Sequence, residues 1–231
     1  SGGVDQFAQC LTDLSKLLNQ DALARLLSTN NNFGPLTLLA LAAEEGHAEI
    51  CRMLLAKGVD VNQRSEGMVF DSSVSTVGVT PLICACWKGR LNTVQILLAV
   101  DDIDVNYRKD NGVTALYTSC ACDHSKVVKM LLAVDGIQVN QATNNGWTPL
   151  NVACEKDHSK VVEMLLAVDG IQINQANNEG WTPLNSACDK DHSKVVEMLL
   201  AVDGIQVNQA TDEGWTPLNV ACEKDHSKVV E

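Results

Sequence analysis

Apolar residues along this chain recur in two alternating arrangements. Between 159 and 166, Val161, Val162, Leu165 and Leu166 fall at helical spacing and form one stripe, with charged residues between them. Just upstream, Leu150, Ala153 and Cys154 share one face of a shorter helical segment opened by Thr148-Pro149. A threonine can cap a helix start, and proline suits the first helical position, where its missing N–H is no loss. Alanine and cysteine are small, so neighbouring helices can approach closely there. At about two turns this helix is marginal alone and must be held by stacking. Asp157-His158-Ser159 separates the two helices, and either Asp157 or Ser159 is placed to cap the second. Asp169-Gly170 ends it, and Ile171 and Ile173 then alternate with polar residues in a short extended run. Asn-Asn-Gly at 144–146, like Asp-Asn-Gly at 110–112, marks a tight turn. The pattern predicts helix, turn, helix, then a projecting hairpin-like finger.

The pattern repeats with a step of 34 residues, and 146–163 and 214–231 are identical. A fixed period of that size marks a stacked repeat array, in which each unit buries its apolar face on its neighbours. Helix pairs are expected at about 80–100, 114–134, 148–168 and 182–202. An earlier unit at 37–57 aligns through Ala42/Ala85, Gly46/Gly89 and Leu54/Leu97, with an offset of 43. The longer offset comes from an insert within 63–78 in its finger. The last unit starts at Thr216 and stops partway through its second helix. Upstream, Phe7, Leu11, Leu14, Leu17 and Leu18, then Leu23, Leu26 and Leu27, give two helical patterns without the repeat signature. The expected division is an N-terminal helical cap or degenerate first repeat over 1–30 and an array of about six units over 31–231, the last truncated.

Within one unit the pattern G-x-T-P-L-x-x-A-x-x-x-x-H-x-x-V-V-x-x-L-L is carried by Gly146, Thr148, Pro149, Leu150, Ala153, His158, Val161, Val162, Leu165 and Leu166, with Asn174 in the finger. This resembles the ankyrin repeat, and the resemblance covers the chain from about Thr37 onward. The departures are modest. Asn151, Asn185 and Asn219 stand where the family usually has His; Asp123, Asp157, Asp191 and Asp225 replace a Gly kept at Gly46 and Gly89; Ala115 and Leu38 replace the Pro. The resemblance implies an all-α solenoid of stacked helix-turn-helix units with short β-hairpin-like fingers. It also implies protein–protein recognition through a concave face of finger tips and first helices.

Charge narrows the partners. A net charge of −12 opposes nucleic acid and anionic lipid, and favours basic protein partners or simple solubility. No apolar run approaches a membrane span. The opening Ser-Gly-Gly reads as an expression scar, and the whole as a monomeric fragment of a longer protein. Nine cysteines invite disulfides or zinc, but Cys86, Cys120, Cys154, Cys188 and Cys222 occupy one repeat position. They read as one small buried residue used five times, in reduced form, in a cytoplasmic, reducing compartment.

Candidate chemistry is copied in the same way. All five histidines, His47, His124, His158, His192 and His226, share one repeat position, which Arg90 takes in the remaining unit. A catalytic histidine is singular, so these read as turn-stabilising residues. Cys154 and His158 sit four apart, but a structural zinc needs four ligands around one ion, and each unit offers two. No nucleophile elbow, Walker loop or dinucleotide fingerprint occurs. The expectation is a non-catalytic scaffold with no cofactor and no metal. A spacer or tether array within a longer protein is the alternative. A thiol or metal enzyme, which elemental analysis and thiol titration would reveal, comes third.

What remains is a surface. Carried over by repeat position, the partner-binding candidates are Trp87 and Lys88; Tyr107, Arg108, Asp110 and Asn111; Asn144, Asn145, Trp147, Glu155 and Lys156; Asn178, Glu179, Trp181, Asp189 and Lys190; and Asp212, Glu213 and Trp215. The tryptophan series would line a groove, although each ring packing on its own finger is the reading we favour. Met68, Val69 and Phe70 in the insert are the best single candidate for a specific contact. The last three units barely vary, so specificity is expected where the copying fails, around the insert, Tyr107 to Lys109 and Tyr117. Asn62 and Asn106, each after Asp-Val, match the asparagines hydroxylated in eukaryotic ankyrin repeats. A finger asparagine that only makes backbone hydrogen bonds is the preferred reading.

Overall fold

The computed structural model describes residues 38–65 and 78–226. The cap expected over 1–30 and most of the insert, with Met68, Val69 and Phe70, lie outside the described residues. The chain divides into two compact units, 1–104 and 105–231. In the first, α1 (Leu38–Glu45) pairs with α2 (Ala48–Ala56), and α3 (Pro81–Trp87) with α4 (Leu91–Leu98). First helix stacks on first helix, α1 on α3, and second on second, α2 on α4.

The second unit repeats this plan. Its helices are α5 (Ala115–Ala121), α6 (Ser125–Leu132), α7 (Pro149–Glu155), α8 (Ser159–Leu166), α9 (Pro183–Asp189), α10 (Ser193–Leu200) and α11 (Pro217–Glu223). One layer is α5, α7, α9 and α11; the other is α6, α8 and α10. The fold is all-α, with no strand among the described residues.

Most of the expected core is observed, but Leu166 is only half-buried, and Cys222, expected to be buried like its four counterparts, is exposed. Ala153, Cys154, Val161, Val162 and Leu165 are wholly buried, and Leu150 nearly so. Each first helix in the second unit opens on a threonine whose hydroxyl accepts a backbone N–H one turn on, as Thr148 does from Asn151. In two units the cap is reciprocal. Asn151 and Asn185 return their side-chain oxygens to Thr148 and Thr182. The other end of each amide reaches the next finger, Asn151 to Trp181 O at 3.4 Å and Asn185 to Trp215 O at 3.3 Å. Asparagine in the usual histidine position thus caps its own helix and ties the next unit.

Two local expectations are corrected. Neither Asp157 nor Ser159 caps the second helix. The N-cap is His158, which makes no side-chain capping bond. Asp157 instead takes a left-handed conformation, φ 59°, as do Asp123, Asp191 and Asp225. The sharp turn between helices needs one left-handed residue, and a short polar side chain is the best substitute for glycine there. In the first unit Gly46 fills the role at φ 81°. A Cβ there would stand 2.8 Å from Arg90 Cδ, so a side chain would displace the arginine as well as strain the left-handed backbone.

The finger is the second correction. It contains turns in place of the expected extended run. Thr143 N–H donates to Trp147 O and Gly146 N–H to Thr143 O, both at 2.9 Å. The tips are joined unit to unit: Asn144 N–H to Asn111 O, Asn178 N–H to Asn145 O and Asp212 N–H to Glu179 O, at 2.9, 3.0 and 3.1 Å. This approach is so close that a Cβ on Gly146 would lie 2.6 Å from the Asn178 nitrogen.

A second tie lies at the finger base. Asn106 Oδ1 accepts Gln138 N–H and its Nδ2 donates to Gly136 O, each at 2.9 Å. Asn140 and Asn174 do the same to 172/170 and 206/204. In the first unit Asn62 clasps Asp102 O and Asp104 N–H at 2.6 and 2.8 Å. Losing such a clasp strips two partners from backbone groups between repeats. Asn174→Ala should therefore lower unfolding free energy by ~1–3 kcal/mol, read from the urea midpoint at unchanged slope. Asn208 makes no such bond among the described residues, and Asn208→Ala should stay within about 0.5 kcal/mol of the parent.

Candidate functional site

Finger tips and first helices of the second unit share one face, and a groove of about 780 Å³ opens in it. Its walls are Asp110, Asn111, Val113 and Tyr117 on one side and Thr143, Asn144, Asn145, Trp147 and Glu155 on the other. Six of these nine, Asp110, Asn111, Asn144, Asn145, Trp147 and Glu155, are candidates that the ankyrin resemblance implies, carried over by repeat position. Val113 lies on the expected face and Tyr117 in the expected irregular region. Thr143 has no signal in the sequence except its place before the turn. Its hydroxyl accepts Trp147 N–H at 3.1 Å, which fixes the base of the tryptophan wall.

The groove is rigid for local reasons. Asn111 Oδ1 accepts Val113 N–H at 3.2 Å, folding one tip onto itself. Asn144 Nδ2 donates to Asp110 O at 2.6 Å, locking the neighbouring tip to it. Arg108 reaches Ala142 O at 3.0 Å and Asn144 Oδ1 at 3.3 Å, behind the same tip. The Tyr117 phenol is pushed up to about 12 by burial first, with the charges of Glu155 and Cys120 adding to it. It therefore stays protonated at neutral pH and keeps its O–H as a donor.

The other candidates are placed as follows. Trp181 and Trp215 are half-buried, and their backbones close their own fingers on Asn177 and Thr211. Asn178, Glu179, Asp212, Glu213 and Lys156 are exposed, and Tyr107 is half-buried. Lys190 Nζ lies 2.9 Å from Asp189 Oδ2, and Lys224 bonds the other oxygen of the same carboxylate. Burial alone would raise the Asp189 pKa, but the hydrogen bonds from Lys224 and Lys190 outweigh it and the net shift is downward. In the first unit Lys88 Nζ stands 4.0 Å from the Trp87 ring centre and 3.6 Å from Glu44. Asn62 and Asn106, the modification candidates, have both ends of their amides engaged as described above.

The repeated histidines bridge units. His158 Nδ1 is 2.8 Å from Cys120 O, His226 Nδ1 2.9 Å from Cys188 O, and His192 Nε2 2.9 Å from Glu155 O. A carbonyl only accepts, so each of these nitrogens carries the proton. Arg90 Nε does the same to Glu44 O at 2.8 Å. Among the described residues no three His, Cys, Asp or Glu side chains converge as metal ligands would. Nor is any described helix long and apolar enough to cross a membrane.

Two expectations follow. Burial pushes the Cys51 and Cys188 thiols up to about 12 and Cys154 higher still, whereas Cys222 is exposed. The thiolate is the nucleophile, and each pKa unit is a tenfold change in its population. At pH 8, peptide mapping should show Cys222 alkylated by iodoacetamide at least about tenfold faster than these three, with the difference lost in urea. For Asp189, a lowered folded pKa means stabilisation that is present above the unfolded value and lost as pH falls through the folded one. The Lys190 pKa is raised by its hydrogen bond to Asp189, so its share is lost as pH rises through that folded value. Asp189→Asn should thus cost ~0.2–1 kcal/mol at pH 7, the range for a solvent-screened pair, and nothing once the carboxyl is protonated. Melting curves of both proteins across the acid range test this.

A family profile described as Ankyrin repeats (3 copies) matches residues 11–109, 102–177 and 168–231. Ankyrin repeats are generally protein–protein interaction modules and are typically non-catalytic. Threonine-capped short helices, left-handed turns, clasped fingers and a profile match across nearly the whole length agree, and the chain belongs to the ankyrin repeat family.

Proposed function

We propose that this chain is a non-catalytic scaffold that holds a protein partner against its finger tips and first helices. The observation that carries this is the groove between the tips at 110–111 and 144–145, walled by Trp147. It is open and rigid, and it lies where the repeats stop copying one another. Aromatic and amide side chains on fixed backbone suit protein recognition, because they give contact area with little ordering cost. An acidic chain at net −12 favours a basic partner. The described cysteines lie outside disulfides, which supports a reducing, cytoplasmic setting.

A spacer or tether role is the second reading. It is favoured by the last units, where Asp189 is occupied by the chain's own lysines and little chemistry is left to offer. Peptide display against the whole chain separates the two. Selected peptides should lose more than about tenfold in affinity to Trp147→Ala or Asn145→Arg. They should bind Lys126→Glu and Lys160→Glu, exposed positions on α6 and α8, as they bind the parent. If no sequence is enriched, or if the tip substitutions leave every binder in place, the spacer reading stands.

A further inference from the structure

The groove exists because one unit departs from its copies. Val113 stands where the next units carry Trp147, Trp181 and Trp215. Ala121 stands where they carry Glu155, Asp189 and Glu223, and Tyr117 where they carry Asn151, Asn185 and Asn219. An indole and a carboxylate are missing from one wall, and a phenol has been added.

Charge separates this site from its copy. Asp189 is the counterpart of Glu155 one unit on, and it is held by Lys190 and Lys224. Glu155 makes no direct ion pair among the described residues: Lys190 is bonded to Asp189 and acts on Glu155 only as a weaker charge at longer range, and Lys156, beside it in sequence, is exposed and unpaired with it. Asp110, across the groove, makes none either, and no basic side chain lines the walls. Arg108, which touches the lining residue Asn144, directs its Nη2 to Ala142 O and Asn144 Oδ1.

We propose that this groove receives one cationic side chain, an arginine or a lysine, from a segment of a protein partner, with Glu155 and Asp110 as counterions and Trp147 and Tyr117 as aromatic walls. This rests on the docking-face reading above and adds to it the chemistry of the anchor. A half-buried carboxylate with no cation bonded to it attracts one more strongly than a solvated or directly paired carboxylate does. Aromatic faces beside it add attraction for a guanidinium or ammonium and little for a neutral group. In the next unit the lysines supplied in cis already fill the equivalent role at Asp189.

The test uses the whole chain and blocked pentapeptides with a central arginine, lysine or citrulline between Gly-Ser and Ser-Gly. Saturable NMR shifts should be confined to residues 110–117 and 143–155 for the arginine and lysine peptides. The citrulline peptide, which keeps the shape and drops the charge, should bind at least about tenfold more weakly. Val113→Trp restores the residue the three following units carry, so it should fold and lose the shifts. Glu155→Gln should lose them too, while Glu223→Gln should keep them. The proposal is overturned if citrulline binds equally, if Val113→Trp binds undiminished, if the shifts spread over the acidic surface, or if none saturate. Any of these removes the cationic anchor alone, because the docking face itself is judged by the peptide selection above.

Discussion

Every helix among the described residues is too short to stand by itself. First helices of seven or eight residues and second helices of eight or nine bury their apolar stripes on neighbours or do not persist. Stacking is therefore the constraint from which the rest follows. Small residues at Ala153 and Cys154 let first helices approach. Because the helices are close, the fingers are close, and their backbones bond tip to tip. Glycine at 146 is a consequence of that distance, since any side chain would meet the next finger.

Burial alone would leave the spacing between units soft. Directional ties fix it. Asn106, Asn140 and Asn174 clasp the following finger base, Asn151 and Asn185 reach the following finger top, and the histidines reach back to the preceding first helix. Each is a polar side chain satisfied by backbone groups that would otherwise lack partners. This gives the copied residues a structural reason to be copied, and it takes histidine and asparagine out of the pool available for chemistry.

The proposed docking site then belongs to the exceptions. Where tryptophan, glutamate or aspartate, and lysine recur, the face carries its own cation–carboxylate pairing at Asp189. Where Val113, Ala121 and Tyr117 interrupt the series, the same scaffold leaves a groove and a carboxylate, Glu155, to which no lysine is directly bonded. A rigid frame makes such a defect useful, because the walls do not collapse into the space.

Sequence by itself determined the period, the helix pairs, the buried positions and the family, because these rest on spacing and residue size repeated several times over. Through the ankyrin resemblance, carried over by repeat position, it also implied one face holding Asp110, Asn111, Asn144, Asn145, Trp147 and Glu155. It could not tell that Asp157 turns the chain when it was free to cap, because aspartate suits both roles and only backbone geometry selects one. Nor could it show that the finger is built of turns, because alternation along 171–173 fits either. Tertiary structure alone decided that Lys190 bonds Asp189 and reaches Glu155 only as a longer-range charge, and that Val113 and Tyr117 line the same groove as Trp147. Those are distances between units, and identical local sequences carry no information about which of two equivalent neighbours a long side chain will choose.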